Sequence, residues 1–292
     1  MEIHFTKEEI DAIKFYLGDK EIVNKNVYRG GGKAYQTINA LLNYGVRNEM
    51  DKALEGKVVE IYDVQHLKSY LELIKLVFEA AVKYRNATNS PNNTSYRVDR
   101  LSSFQEFKSH NGVIEGFFST CKSGLLPQYA NSKRDVVLLE VVRDDFVPYL
   151  DFEDILKGFY SKPDEAEILV PFGTRILETK KVDLTDDEKR IYQDSEGKPP
   201  RGKWIVYLGQ GEYKGVDPEC EQQYYDYITD EQVVSTIIEK MRMLSSKQTL
   251  TDDEIAFYND WKEKVIRYIN SRACATLREY DIADASYTKK NV

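Results

Sequence analysis

Two carboxylates stand two residues apart in "PDEAEILVPFGT", where Glu165 and Glu167 flank Ala166. At the start of a strand, alternation turns both to one face and leaves Ala166 and Ile168 on the other. Of two like charges held side by side, one can face a developing oxocarbenium-like centre while its neighbour engages an incoming group. A solvated strand face has the same spacing. A hydroxyl adds a second kind of chemistry: in "EGFFSTCKSG", alternation sets Phe117, Ser119 and Cys121 on one face and Phe118 and Thr120 on the other. Ser119 then stands at the end of an aromatic strand where small residues admit a planar ligand, and its hydroxyl could orient a carboxylate. An ordinary strand leaving a core would read alike. Cys121 has no histidine placed to activate it as a nucleophile.

Two Tyr-Arg pairs compete for an anion-gripping role, one in "NVYRGGGKAY" at 26–35 and one in "TSYRVDR" at 94–100. A guanidinium holds a diphosphate best from a rigid strand, because its fork must match phosphate oxygens bidentately. Arg97 lies in a β-like run, whereas Arg29 precedes Gly30, Gly31 and Gly32, the most permissive backbone in the chain. Those glycines lack the spacing of a phosphate-binding P-loop, and "LGQGEYKG" after Trp204 to Leu208 departs from the dinucleotide fingerprint and reads as a hairpin or loop. A single strand connection separates Arg97 from Ser119, while the interval from Arg29 would enclose a long helix. A rigid strand favours Arg97 as an anion grip, while "NVYRGGGKAY" has the apolar residue before its Tyr-Arg and the glycine after it, so the residues alone leave both arginines as candidates.

The elements that must position these side chains show in the periodicity. Ile10, Ile13 and Leu17 recur at helical spacing behind Thr6, with Gly18 to end the turn, and "YQTINALLNYG" puts Ile38, Leu41 and Leu42 on one face and closes at Gly45. From 64 to 85, Leu67, Leu71, Ile74, Phe78, Ala81 and Tyr84 follow Asp63 every three or four residues. "NATNSPNNTS" interrupts the pattern. Beyond it the period becomes two, in "SYRVDRL", "GVIEGFFSTC", "RDVVLLEVV", "EAEILVP" and "KWIVYL". The remainder is helical again: Thr229 with Gln232 and Thr251 with Glu254 read as capping boxes, and Ile255, Tyr258, Trp261, Val265 and Ile269 form an apolar stripe. "LTDDEKRIYQD" at 184 and "LTDDEIAFYND" at 250 read as two copies of a helix start. The expected fold is α+β, with an N-terminal helical lobe over 1–92, a β-rich core over 93–210 and a C-terminal helical extension over 211–292.

Composition narrows the partners. A chain of 292 residues exceeds the usual size of one domain, and 41% hydrophobic content with 21 Tyr and 12 Phe suffices for a core. A net charge of -8 lacks the basic surface that phosphate neutralisation needs, which disfavours nucleic acid and favours a protein or small-molecule partner. Cys121, Cys220 and Cys274 form no CxxC pair and the histidines are His4, His66 and His110 alone, so a reducing compartment fits and no metal is expected. The N-terminus is acidic and amphipathic where a signal peptide would be basic and then apolar. No apolar run approaches the roughly 18 to 20 residues of a membrane span. A cytoplasmic chain with no membrane partner is expected, with export by a route that uses no cleaved signal left open.

In order along the chain, Tyr96-Arg97, Ser119-Thr120-Cys121 and Glu165-Ala166-Glu167 resemble the Arg, Ser-Thr-Ser and Glu-x-Glu motifs of the R-S-E class of mono-ADP-ribosyltransferases. "AIKFYLG" and "YQTINALLNYG" resemble the helical lobe that precedes the arginine strand there, so the likeness covers roughly residues 5 to 210. The chain departs from the pattern at Cys121, where Ser or Thr is usual, and at Ser95, where an apolar residue is common. The resemblance implies an ADP-ribosyltransferase-like core of two packed, mostly antiparallel sheets that binds NAD+ as co-substrate. Tyr96, Arg97, Ser119, Thr120 and Glu167 would line the NAD+ site. Arg97 would hold a phosphate, Ser119 would orient Glu167, and Glu167 would stabilise the charged ribose. Glu165 would position or deprotonate the acceptor, which in this family accompanies arginine modification, while Phe159 and Tyr160 would meet the protein target. The implied protein is a bacterial or phage toxin or effector. Two alternatives stay open: transfer to water, nucleic acid or a non-arginine side chain, and a non-enzymatic binding module with a degenerate site.

Overall fold

Residues 3–19, 22, 34–43, 61–88, 93–109, 112–157, 166–246 and 248–280 are described by a computed structural model of the protein. Helix α1 (Lys7–Tyr16) begins where the Thr6 hydroxyl accepts from the Glu9 N–H at 3.2 Å and the Glu9 carboxylate accepts from the Thr6 N–H at 2.8 Å. That reciprocal pair satisfies two donors a helix start otherwise leaves open. Helix α2 (Ala34–Leu42) buries Ile38, Leu41 and Leu42, and Gly45 lies outside the described residues. Helix α3 (Val64–Ala87) starts at Asp63, which accepts from the His66 N–H at 2.8 Å, and the expected stripe from Leu67 to Tyr84 is buried.

Strands and short helices follow: β1 (Thr94–Arg100), α4 (Leu101–Ser109), β2 (Phe118–Cys121), α5 (Pro127–Asn131), β3 (Val136–Arg143), β4 (Leu150–Asp151), α6 (Phe152–Ile155), β5 (Glu167–Val170), β6 (Arg175–Val182), α7 (Asp186–Ile191) and β7 (Lys203–Gly209). They form a seven-stranded sheet in the order β4-β5-β2-β1-β3-β7-β6, antiparallel except where β3 runs parallel to β7. The two expected sheets are thus joined. The junction is narrow, because β1 and β2 meet at a single pair, Tyr96 opposite Cys121. Contacts divide the chain into two units, Tyr84–Glu212 with this sheet, and Glu2–Lys83 together with Tyr213–Val292.

The second unit gathers α1, α2 and most of α3 with α8 (Pro218–Ile228), α9 (Glu231–Ser245) and α10 (Asp252–Glu279). Thr251 and Glu254 form the expected capping box of α10, and Thr185 with Glu188 forms one at α7. Thr229 is a correction. The cap of α9 is Asp230, which accepts from the Gln232 and Val233 N–H groups at 3.0 Å, while the Thr229 hydroxyl turns back to donate to the Tyr225 carbonyl at 2.7 Å. A carboxylate next to the open N–H groups outcompetes a hydroxyl, since it accepts without having to donate and suits the positive end of the helix dipole. Among the described residues no helix is long and apolar enough to cross a membrane.

Candidate functional site

Glu167 is the first residue of β5, and Ser119 lies diagonally across the antiparallel β2–β5 ladder from it, where Cys121 faces Glu167 and Ser119 faces Leu169. Diagonal neighbours on one face come within reach of a hydrogen bond. The Ser119 Oγ donates to Glu167 Oε1 at 2.6 Å, the length of a charge-assisted O–H···O bond. The register continues through β1, so Glu140, Tyr96, Cys121 and Glu167 form one row across four strands. Each is half-buried, whereas Ser95, Thr120 and Ile168 on the reverse face are buried. A reacting molecule would meet Tyr96, Ser119 and Glu167 on the open face.

Arg97 arrives by a different route. Strand alternation roots it on the face opposite Tyr96, with Leu139 as its partner on β3. Where β1 and β2 diverge beyond their single pair, its Nη1 donates to the main-chain oxygen of Ser119 at 2.7 Å. Its Nε donates to Asp99 Oδ2 at 2.8 Å, and its Cζ sits 4.6 Å from the centre of the Phe118 ring. The fork is therefore fixed by an ion pair, a carbonyl and an aromatic face, and it keeps further N–H donors beyond these two bonds. Burial alone would raise the Asp99 carboxyl; the Arg97 charge and hydrogen bond, with the Arg100 N–H, outweigh it and hold the carboxyl below its ordinary value. Ser119 thereby joins the two charged groups, its side chain on Glu167 and its carbonyl on Arg97.

Thr120 is not on the open face. Its hydroxyl lies 2.8 Å from Ser95 Oγ and 3.2 Å from the Ile168 oxygen, and the residue is 1% exposed. Direct contact with a ligand on the open face is thus closed to it in this arrangement. Glu165, Phe159, Tyr160 and Arg29 lie outside the described residues. The alternation argument for Glu165 loses its footing, because β5 begins at Glu167 and Ala166 has φ 35°, a left-handed conformation that breaks regular strand alternation. Asp99, Arg143 and the buried role of Ser95 went unseen in the sequence; the one signal was Ser95 itself, a hydroxyl where the motif has an apolar residue. A cavity of about 420 Å³ in the helical unit, lined by Tyr62, Asp63, Val234, Ile238 and Arg242 among others, and one of about 240 Å³ lined by Lys68, Glu72, Tyr225 and Tyr268 among others, contain no residue of this site. Among the described residues, no group of three or more His, Cys, Asp or Glu side chains is placed to hold a metal.

No protein-family model matches the sequence, and no curated protein matches it. Among solved structures, the chain is similar to the catalytic domain of VahC from Aeromonas hydrophila, at 14% identity and a TM-score of 0.37, over 70% of this chain and 99% of that one. It is similar to the catalytic domain of VsdC from the same organism, at 16% identity and a TM-score of 0.36, over 70% and 99%. These are weak likenesses of fold, and the functional reading rests on the residues.

Proposed function

We propose that this chain is a mono-ADP-ribosyltransferase that passes ADP-ribose from NAD+ to a protein side chain, most readily arginine, releasing nicotinamide, and that it acts as a bacterial or phage toxin or effector. The observation that carries the reading is the 2.6 Å bond from Ser119 Oγ to Glu167 Oε1, with Arg97 bound to the same serine through its carbonyl. The groups suit NAD+: an oriented carboxylate for a cationic sugar, a fixed guanidinium with donors to spare for a diphosphate, and Tyr96 in the same cross-strand row as Glu167. NAD+ supplies the leaving group, since the electrons of its glycosidic C–N bond depart with nicotinamide and leave positive charge on the ribose. Glu167 faces that charge, and Ser119 holds its carboxylate in one rotamer so that no reorientation is needed as the charge develops. Arg97 fixes the diphosphate end. An acceptor nitrogen then bonds the anomeric carbon and gives up a proton, a step for which Glu165 is the proposed base or anchor.

The test is incubation of the protein with labelled NAD+ and a cell lysate, beside Glu167→Gln, Glu165→Ala, Arg97→Ala and Arg29→Ala variants. Wild-type protein should label a target, mapped to arginine by mass spectrometry. Glu167→Gln and Arg97→Ala should lose about 100-fold or more in NAD+ cleavage, Glu165→Ala should lose labelling while retaining hydrolysis, and Arg29→Ala should behave as wild type. Labelling mapped to nucleic acid or to another side chain would move the reading to a different acceptor, and wild-type protein that leaves NAD+ intact would sink it.

A further inference from the structure

On the buried face behind Ser119 and Glu167, a charged side chain and two hydroxyls form one run of hydrogen bonds through four strands. Arg143 on β3 is 3% exposed, Ser95 on β1 is 0% and Thr120 on β2 is 1%. Arg143 Nη1 lies 3.0 Å from Ser95 Oγ, which lies 2.8 Å from Thr120 Oγ1, which lies 3.2 Å from the oxygen of Ile168 on β5. A guanidinium can only donate and a carbonyl can only accept, and each hydroxyl has one proton. One continuous order satisfies all three: Arg143 donates to Ser95, Ser95 to Thr120, and Thr120 to Ile168.

The guanidinium is itself held. Its Cζ sits 4.5 Å from the centre of the Tyr149 ring, Tyr149 packs edge-on against Tyr84 at 5.1 Å, and the Tyr84 hydroxyl donates to Asp154 at 3.0 Å. Burying a cation so completely is costly unless hydrogen bonds and ring contacts offset the lost water, as the Ser95 hydroxyl and the Tyr149 ring do here in part. What it can do follows from the sheet. With β1 and β2 paired only at Tyr96 and Cys121, the run from Arg143 to Ile168 adds a tie, beside the bond of Arg97 to the Ser119 carbonyl, between the strand of Arg97 and the strands of Ser119 and Glu167. Ser95 is its middle link, which gives a reason for a hydroxyl at a position where the motif usually has an apolar residue.

We infer that Arg143 and Ser95 are positioning residues: acting through Thr120, they fix β1 against β2 and so hold Arg97 at its working separation from the Ser119–Glu167 pair. This inference rests on the ADP-ribosyl transfer reading. Removing a link lets the strands shift, and misplacement on the order of 1 Å can cost about 100-fold in rate.

The test measures kcat and KM for NAD+ hydrolysis, together with thermal melting, for Ser95→Ala, Thr120→Val, Thr120→Ser, Arg143→Met and the Ser95→Ala/Thr120→Val double variant. Ser95→Ala and Thr120→Val should each lower kcat by about 10-fold or more. Thr120→Ser, which keeps the hydroxyl, should stay within about 2-fold of wild type, and the double variant should be no worse than the poorer single one, because the run is already broken. Arg143→Met removes a buried charge and could fail to fold; Ser95→Ala removes one oxygen and keeps the test decisive. Folded Ser95→Ala and Thr120→Val proteins with wild-type kcat and KM overturn the positioning role and leave the transferase reading standing. So does a variant that melts lower yet turns over normally below its melting point. Wild-type protein that never cleaves NAD+ overturns the transferase reading and this inference with it.

Discussion

Ser119 does its work with two different atoms, and only one of them was legible in the sequence. Its hydroxyl was expected on Glu167, and the diagonal placement on β2 and β5 delivers it at 2.6 Å. Its carbonyl, bonded to Arg97, could not be foreseen, since main-chain partners depend on where two strands part. Asp99 was invisible for a similar reason: a carboxylate two residues after an arginine pairs with it only if both lie on one strand face and nothing else intervenes. That pair makes a pH prediction. The Asp99 carboxyl is held below its ordinary value of 3.8, so the stability it contributes is fully present above that value and is lost as pH falls through the lower, folded-state value. Asp99→Asn should therefore flatten the fall in melting temperature between about pH 5 and pH 2. On the proposed transferase reading, the same variant should raise KM for NAD+ more than it lowers kcat, because it loosens the Arg97 fork. Identical acid slopes for variant and wild type would show that the pair contributes nothing to folding.

At the level of elements, most helix starts were easy to read, Thr229 being the exception, and the strands near the site were not. Thr6 with Glu9, Thr185 with Glu188 and Thr251 with Glu254 each close the box their sequence announces, because the capping interaction is local and needs no tertiary partner. Strand β6 escaped notice since it is an edge with little buried face; Leu177 on it is 56% exposed, so no alternation of apolar and polar residues marks it. "GVIEGFFSTC" looked like one strand, but only Phe118–Cys121 pair with β5, and Val113 makes an isolated bridge to Arg175. The step into β5 matters most for the proposed chemistry. Ala166 is 3% exposed at φ 35°, and its carbonyl accepts from the Lys122 N–H at 2.8 Å, so the turn that launches Glu167 is pinned to the end of β2. An L-residue there carries strain of about 1 kcal/mol or more, and a β-branched one fares worse. Ala166→Val should destabilise the protein by about 2 kcal/mol, and Ala166→Gly should leave stability equal or higher. Chemical denaturation measures both, and Val no worse than Gly would mean the turn does not need its left-handed residue.

For the molecule as a whole, the ends of the chain are the question: residues before α3 and residues after β7 share one unit, although nothing in either segment advertises the other. Periodicity foresaw helices at both ends, because an apolar stripe is a local signal. It could not foresee their partner, because a stripe says that a face is covered and not by what. Lys262 supplies the specific link. It sits on α10, is 0% exposed, and donates to the main-chain oxygens of Ala40 at 2.6 Å and of Leu41 at the end of α2. The last carbonyls of a helix have no partner within it, and a cation there also suits the negative end of the helix dipole. In the sequence this lysine falls beside Trp261 in the apolar stripe and looks like an ordinary charged neighbour. Lys262→Met relieves the cost of burying an ammonium but leaves two helix-terminal carbonyls short of their donor, and the second effect should win by about 3 kcal/mol. Lys264→Met on the same helix loses an i,i+4 pair with Asp260 in which both side chains are partly exposed, and should cost about 0.5 kcal/mol or less. Urea unfolding followed by far-UV circular dichroism compares them directly. If the two variants unfold at the same urea concentration, the lysine cap does not join α10 to α2; if Lys262→Met alone unfolds early, residues more than two hundred positions apart hold one helical unit together through it.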